Sequence, residues 1–153
     1  MQGKRGLIMG LANDRSLAWG IARAVGQQGA ELAFSYQGES LEKRVRPLAQ
    51  ELGSDLLIDC DVSSPDALDA AFGQLDKAWG GLDFVVHAIG YSDKNELRGK
   101  FVDTSMDNFL MTMNISVYSF VAVAQRARRL MKRGGSLLTL TYYGAEKYVP
   151  NYN

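Results

Sequence analysis

Near its start the sequence runs Leu7-Ile8-Met9-Gly10, crosses a polar loop, and resumes as Ser16-Leu17-Ala18-Trp19-Gly20. The short apolar run predicts a buried strand over 6–9, stopped by a glycine. Beyond the loop Leu17, Ile21 and Val25 recur four residues apart, with Ala18, Ala22 and Ala24 between them. That spacing predicts a helix over 16–28 laid on a sheet, with Ser16 as its N-cap. A strand, a glycine turn and a helix N-terminus make a phosphate site, because the first helical amides are unpaired and sit at the positive end of the dipole. The spacing is not G-x-G-x-x-G; Gly10 is followed six residues later by Ser16, then by Ala18 and Gly20, so the small residues stand on a longer loop. An ordinary glycine loop joining strand and helix is the competing reading.

The same alternation continues. Strands are predicted over 31–36, 55–60, 83–88 and 136–141, and helices up to about 52 and over 65–79 and 105–132. The strand at 55–60 is nearly continuous in apolar residues, as for a parallel strand buried on both faces. Ser64 followed by Pro65 predicts a capped helix start. Phe109, Met113, Val117, Phe120, Val121 and Ala124 predict a broad apolar stripe on the last helix, and residues 91–104 a loop with a short helical piece. Strands alternating with amphipathic helices imply right-handed βαβ units. The predicted fold is therefore α/β: a Rossmann-type, doubly wound parallel sheet in the order 3-2-1-4-5, with helices on both faces and ligands beyond the carboxyl ends of the strands.

Composition narrows the partners. Lys plus Arg equals Asp plus Glu, at 17 each, so no net charge draws the chain to nucleic acid or to an anionic membrane. No apolar run approaches spanning length. Cys60 is the single cysteine and His87 the single histidine. A Cys/His metal site therefore cannot be assembled, no metal is expected, and a reducing, cytoplasmic location is. Cys60 closes an apolar run and is expected as a buried small residue, and His87 as a hydrogen-bonded core residue rather than a general base.

Four stretches together resemble the short-chain dehydrogenase/reductase superfamily, and within it the bacterial enoyl-acyl-carrier-protein reductases. They are the Gly10 to Gly20 loop; Cys60-Asp61-Val62; His87-Ala88-Ile89-Gly90; and the tail from Leu138-Thr139-Leu140-Thr141-Tyr142-Tyr143-Gly144-Ala145-Glu146-Lys147 to Pro150-Asn151-Tyr152-Asn153. The resemblance implies an oxidoreductase that reduces the trans-2 double bond of enoyl-acyl-carrier-protein thioesters with NADH in fatty acid biosynthesis. It implies Tyr142 and Tyr152 as the active-site tyrosines, Tyr152 hydrogen-bonding the thioester carbonyl. It implies Gly10, Ser16, Leu17, Ala18, Gln37, Asp61, Val62, Ala88, Ile89 and Gly90 as the cofactor-binding residues. A turn role before Pro65 competes with the cofactor role of Asp61. No carboxylate stands directly after the second strand and no Lys or Arg follows at once, so NADH is expected over NADPH.

The family pattern also carries a nicotinamide-ribose lysine beyond Tyr152. Residues 1–153 are accordingly expected to form one dinucleotide-binding domain, C-terminally incomplete, with the fifth strand left as a sheet edge. A homotetramer built on the long helix is implied as well. Two other functions stay open: a 3-ketoacyl-type carbonyl reductase using Tyr152 with Thr139, and a non-catalytic nicotinamide-nucleotide-binding module.

Overall fold

The computed structural model describes residues 1–150 and 152; Asn151 and Asn153 of the tail motif lie outside the described residues. Five strands form one parallel sheet: β1 (Arg5–Met9), β2 (Glu31–Tyr36), β3 (Leu57–Asp59), β4 (Phe84–His87) and β5 (Ser136–Thr139). Their order is β3-β2-β1-β4-β5, as the alternation predicted. The reversal of order between β1 and β4 opens the crevice in which such sheets hold ligands.

Period-two alternation builds two cores from one strand. Leu7 and Met9 of β1 join Ala33, Ile58 and Val85 on one face, against α3 (Pro65–Trp79) and α5 (Ser119–Leu130). Ile8 joins Phe34 and Val86 on the other, against α1 (Leu17–Gln27) and α2 (Gly38–Glu51). Side chains of the inner strands are thus buried on both sides.

The sheet's edges depart from the prediction. β3 is three residues long and outermost, with only Ile58 fully buried and Asp59 exposed. An outer strand has one neighbour, so it need not be covered on both faces. At the other edge all four residues of β5 are exposed.

The helix predicted over 105–132 is three pieces: α4 (Met106–Met113), a π-helical segment (Asn114–Tyr118) and α5. Its predicted apolar stripe faces outward, with Phe109, Met113, Val117 and Val121 exposed, while Ser119, Ala122, Val123, Ala127 and Leu130 face the sheet. The helix carries two apolar stripes, and the one that is buried packs into the core it shares with α3. α1 behaves similarly: Ala18, Trp19 and Ala22 are buried, and Leu17 stands 72% exposed at the helix start. At α3 the predicted cap is present, Ser64 Oγ accepting from the Ala67 N–H at 3.2 Å. α2 starts at Gly38, two residues past the end of β2. Arg126 ties α5 to α3 through Asp69 at 2.7 Å, and Arg128 and Arg129 lie in the last turn of α5, where the helix dipole favours cations.

Candidate functional site

The predicted site residues follow the carboxyl ends of parallel strands, and the structure joins them in three groups. At the first, Gly10 has φ of +91°, and a Cβ there would fall 2.0 Å from the Ala88 carbonyl oxygen. Only glycine fits, because the exit of β4 crosses directly over the exit of β1. Gly10, Ala88 and Ile89 are thereby brought together. Ser16 occupies the N-cap position of α1, but its hydroxyl turns back into the loop. There it accepts from the Ala12 and Asn13 N–H groups at 3.1 Å each. No side chain caps the helix start, so the first-turn amides of Leu17 and Ala18 are left for solvent or a ligand. These are the features a bound pyrophosphate requires.

The second group surrounds a cavity of about 930 Å³ lined by Ile89, Gly90, Leu97, Phe120, Tyr142 and Tyr152, among others. Tyr142 and Tyr152, ten residues apart, stand with ring centroids 5.6 Å apart and planes inclined by 50°. Both rings are about half exposed and open to the cavity. Gly90 is not required by its own surroundings: the nearest atom to a Cβ would be Ser116 Oγ at 4.0 Å, and its φ is not positive.

The π segment fastens this cavity to the sheet, a role for which the sequence carries no local sign. Ser116 Oγ accepts from the Tyr91 N–H at 2.9 Å and donates to the Tyr91 carbonyl at 3.1 Å, so one hydroxyl serves both backbone groups past Gly90. Ser119 Oγ donates to the Ile115 carbonyl at 2.6 Å and lies 2.7 Å from His87 Nε2. On its other side His87 Nδ1 lies 3.4 Å from Thr139 Oγ1. His87 is fully buried, and burial pushes its pKa below the ordinary value of 6.5. It is a neutral core histidine linking β4, β5 and the long helix, as expected. Thr139 also lines the cavity.

The adenosine-side candidates gather at the end of β2. Gln37 precedes α2, and its side chain helps to hold the Asp61 carboxyl below its ordinary pKa. Asp61 Oδ1 accepts from Ser63 N–H at 2.8 Å and Ser63 Oγ–H at 2.7 Å. The Ser63 hydroxyl is the chief reason its carboxyl lies below the usual range. The turn role of Asp61 is therefore present in the structure. Val62 is buried beside it. Cys60 is buried, and burial pushes its thiol up to about 11, so it is not a nucleophile. Among the described residues, no group of three or more His, Cys, Asp or Glu side chains is placed to hold a metal, and no helix is long and apolar enough to cross a membrane.

The comparisons with known proteins agree. The family described as Enoyl-(Acyl carrier protein) reductase matches residues 10–153. The chain is 61% identical over 153 residues to enoyl-[acyl-carrier-protein] reductase [NADH] 1 of Rhizobium meliloti (strain 1021), covering all of this chain and 56% of that protein. The crystal structure of an Anaplasma phagocytophilum enoyl-(acyl-carrier-protein) reductase in complex with NAD superposes with a TM-score of 0.97 at 59% identity, over 100% of this chain and 59% of that one. The Bacillus cereus enoyl-acyl carrier protein reductase with NADP+ and indole naphthyridinone gives 0.96 at 47% identity, over 99% and 60%. The chain thus spans less than two thirds of the length of these relatives.

Proposed function

The chain belongs to the enoyl-(acyl carrier protein) reductase family, and from that premise we propose that its protein reduces the trans-2 double bond of enoyl thioesters on acyl carrier protein with NADH, in fatty acid biosynthesis. The observation that carries the proposal is the pairing of Tyr142 and Tyr152 on the cavity that also takes in Ile89 and Gly90. A bound reduced nicotinamide supplies a hydride to the carbon β to the thioester. The protein's own task is to stabilise the negative charge that then develops on the thioester oxygen. Tyr152 donates a hydrogen bond to that oxygen, and Tyr142, tilted against it, limits the positions its ring can take. Gly10, Ser16, Leu17, Ala18, Ala88, Ile89 and Gly90 hold the pyrophosphate and nicotinamide side, while Gln37, Asp61 and Val62 hold the adenosine.

Residues 1–153 serve in this reading as the dinucleotide-binding domain, in a cytoplasmic homotetramer. Support for self-association comes from the exposed apolar face of the long helix, including Phe109, Met113, Val117 and Val121.

The test is NADH oxidation by the full-length protein with crotonyl and acetoacetyl thioesters. The crotonyl thioester is expected to be reduced faster. Tyr152→Phe is expected to lower kcat by about 10² while leaving the NADH Kd unchanged, the signature of an interaction made only in the transition state. Faster turnover of the acetoacetyl thioester would replace this reading with a carbonyl reductase. Cofactor binding without turnover of either thioester would leave a nucleotide-binding module.

A further inference from the structure

Two solved relatives with almost the same backbone hold different dinucleotides, NAD in the A. phagocytophilum protein and NADP+ in that of B. cereus. Those cofactors differ by one phosphate on the 2′-oxygen of the adenosine ribose. The common backbone leaves the choice to side chains at the ribose corner, which in a Rossmann sheet is the end of the second strand. The usual selector of NAD is a carboxylate at that point, and this chain has Tyr36, Gln37 and Gly38 there instead.

The structure brings a carboxylate in from the neighbouring strand. Tyr36 and Asp59 are register partners, so the last residue of β3 lies level with the end of β2. Asp59 Oδ1 accepts from the Gly38 N–H at 2.9 Å. Gly38 opens α2, so this amide lies at the positive end of a 14-residue helix, and the anion it attracts is already part of the protein. Two nearby cations are engaged as well: Arg46 with Glu42, and Lys43 with Glu39 at 2.8 Å. Asp59 also acts on its surroundings. The Tyr36 hydroxyl is pushed above its ordinary pKa by burial first, and then by the charges of Glu42 and Asp59.

We propose that Asp59 selects NADH over NADPH, its carboxylate taking the α2 N-terminal amide and repelling a ribose 2′-phosphate. The proposal rests on the reading that this corner holds the adenosine ribose of a nicotinamide dinucleotide. Asp59→Asn keeps an acceptor for the Gly38 amide and removes only the charge, and Asp59→Ser provides a second neutral variant. In the full-length protein, Kd for NADH and NADPH is measured by calorimetry, alongside KM for each with one enoyl thioester. Both variants are expected to tighten NADPH about tenfold, the effect of one carboxylate partly screened by solvent, with NADH changed less than about twofold. Raising the salt concentration should narrow the NADH preference of the wild type and leave that of Asp59→Asn nearly flat. An unchanged NADPH Kd, or parallel weakening of both cofactors, overturns the proposal. The binding ratio needs no turnover, so a ratio that responds to Asp59→Asn in a protein without reductase activity would support the selector and overturn the reductase.

Discussion

Strands β4 and β5 are neighbours, each four residues long, paired from Phe84↔Ser136 to His87↔Thr139, and all of β4 is buried while all of β5 is exposed. The ladder of hydrogen bonds is the same kind on both sides of β4. What differs is cover: β4 has cores on both of its faces, whereas Leu137, Leu138 and Leu140 present apolar surface to solvent. Backbone pairing alone therefore says nothing about how much a strand contributes to stability. The inner strands are anchored by packing, and the tyrosine-bearing side by hydrogen bonds through His87, Ser116 and Ser119.

The sharpest way to break this comparison uses one substitution at two places in one row of the sheet. Leu7 pairs with Val85, and Val85 with Leu137. Leu7→Ala is expected to cost about 3 kcal/mol, since Leu7 is 1% exposed and its loss leaves a cavity in the core. Leu137→Ala in the 153-residue chain is expected to cost less than about 1 kcal/mol. Urea unfolding measures both. Equal costs in the full-length protein would identify β5 as covered there, by another part of the protein or by a second copy.

A smaller effect tests the hydrogen-bonded side. Ser116→Ala leaves the Tyr91 N–H and carbonyl without the hydroxyl that serves both, at an expected cost below about 1 kcal/mol because both groups are exposed to water. Because that hydroxyl holds the chain just past Gly90, the NADH Kd is expected to rise as well. Ser116→Thr, which keeps the hydroxyl, should restore much of the binding. A loss of stability with unchanged NADH affinity would separate the π segment from the cofactor corner.

The smallest effect concerns His87, whose pKa burial holds below 6.5 in the folded chain. The unfolded chain takes up a proton near pH 6.5 that the folded chain does not. Stability is therefore full above that pH and declines as the pH falls toward the folded pKa. His87→Gln should flatten that decline, as read by urea midpoints across the range. An undiminished slope in the variant would assign the acid sensitivity to other groups.

Much of the site was legible before any coordinates, and the legible parts share a property. Gly10, Ser64-Pro65 and the inner strands speak through their immediate neighbours: a turn glycine, a cap, an apolar run of the right length. The tyrosines and the cofactor residues entered through motif resemblance, with the sheet order then locating their corners. Asp59, Ser116 and Ser119 could not be found in this way. Asp59 meets Gly38 across 21 positions of sequence, Ser116 meets Tyr91 across 25, and Ser119 meets His87 across 32. None of these residues is unusual in its own neighbourhood.

The long helix marks the boundary most clearly. Its sequence determined that a helix forms and that it carries apolar side chains, because both follow from periodicity within a few turns. Which apolar stripe packs inward was decided only by the tertiary structure, where Ala122, Val123 and Ala127 are buried and Met113, Val117 and Val121 are exposed. The interruption at Asn114–Tyr118 also appears only there, with the Ser116 hydroxyl bonded to Tyr91 past the exit of another strand. Local propensity is an energy within one segment, but burial and hydrogen-bond pairing are energies between segments. The first is present in the sequence as written; the second exists only once the strands of the sheet have taken their places beside one another.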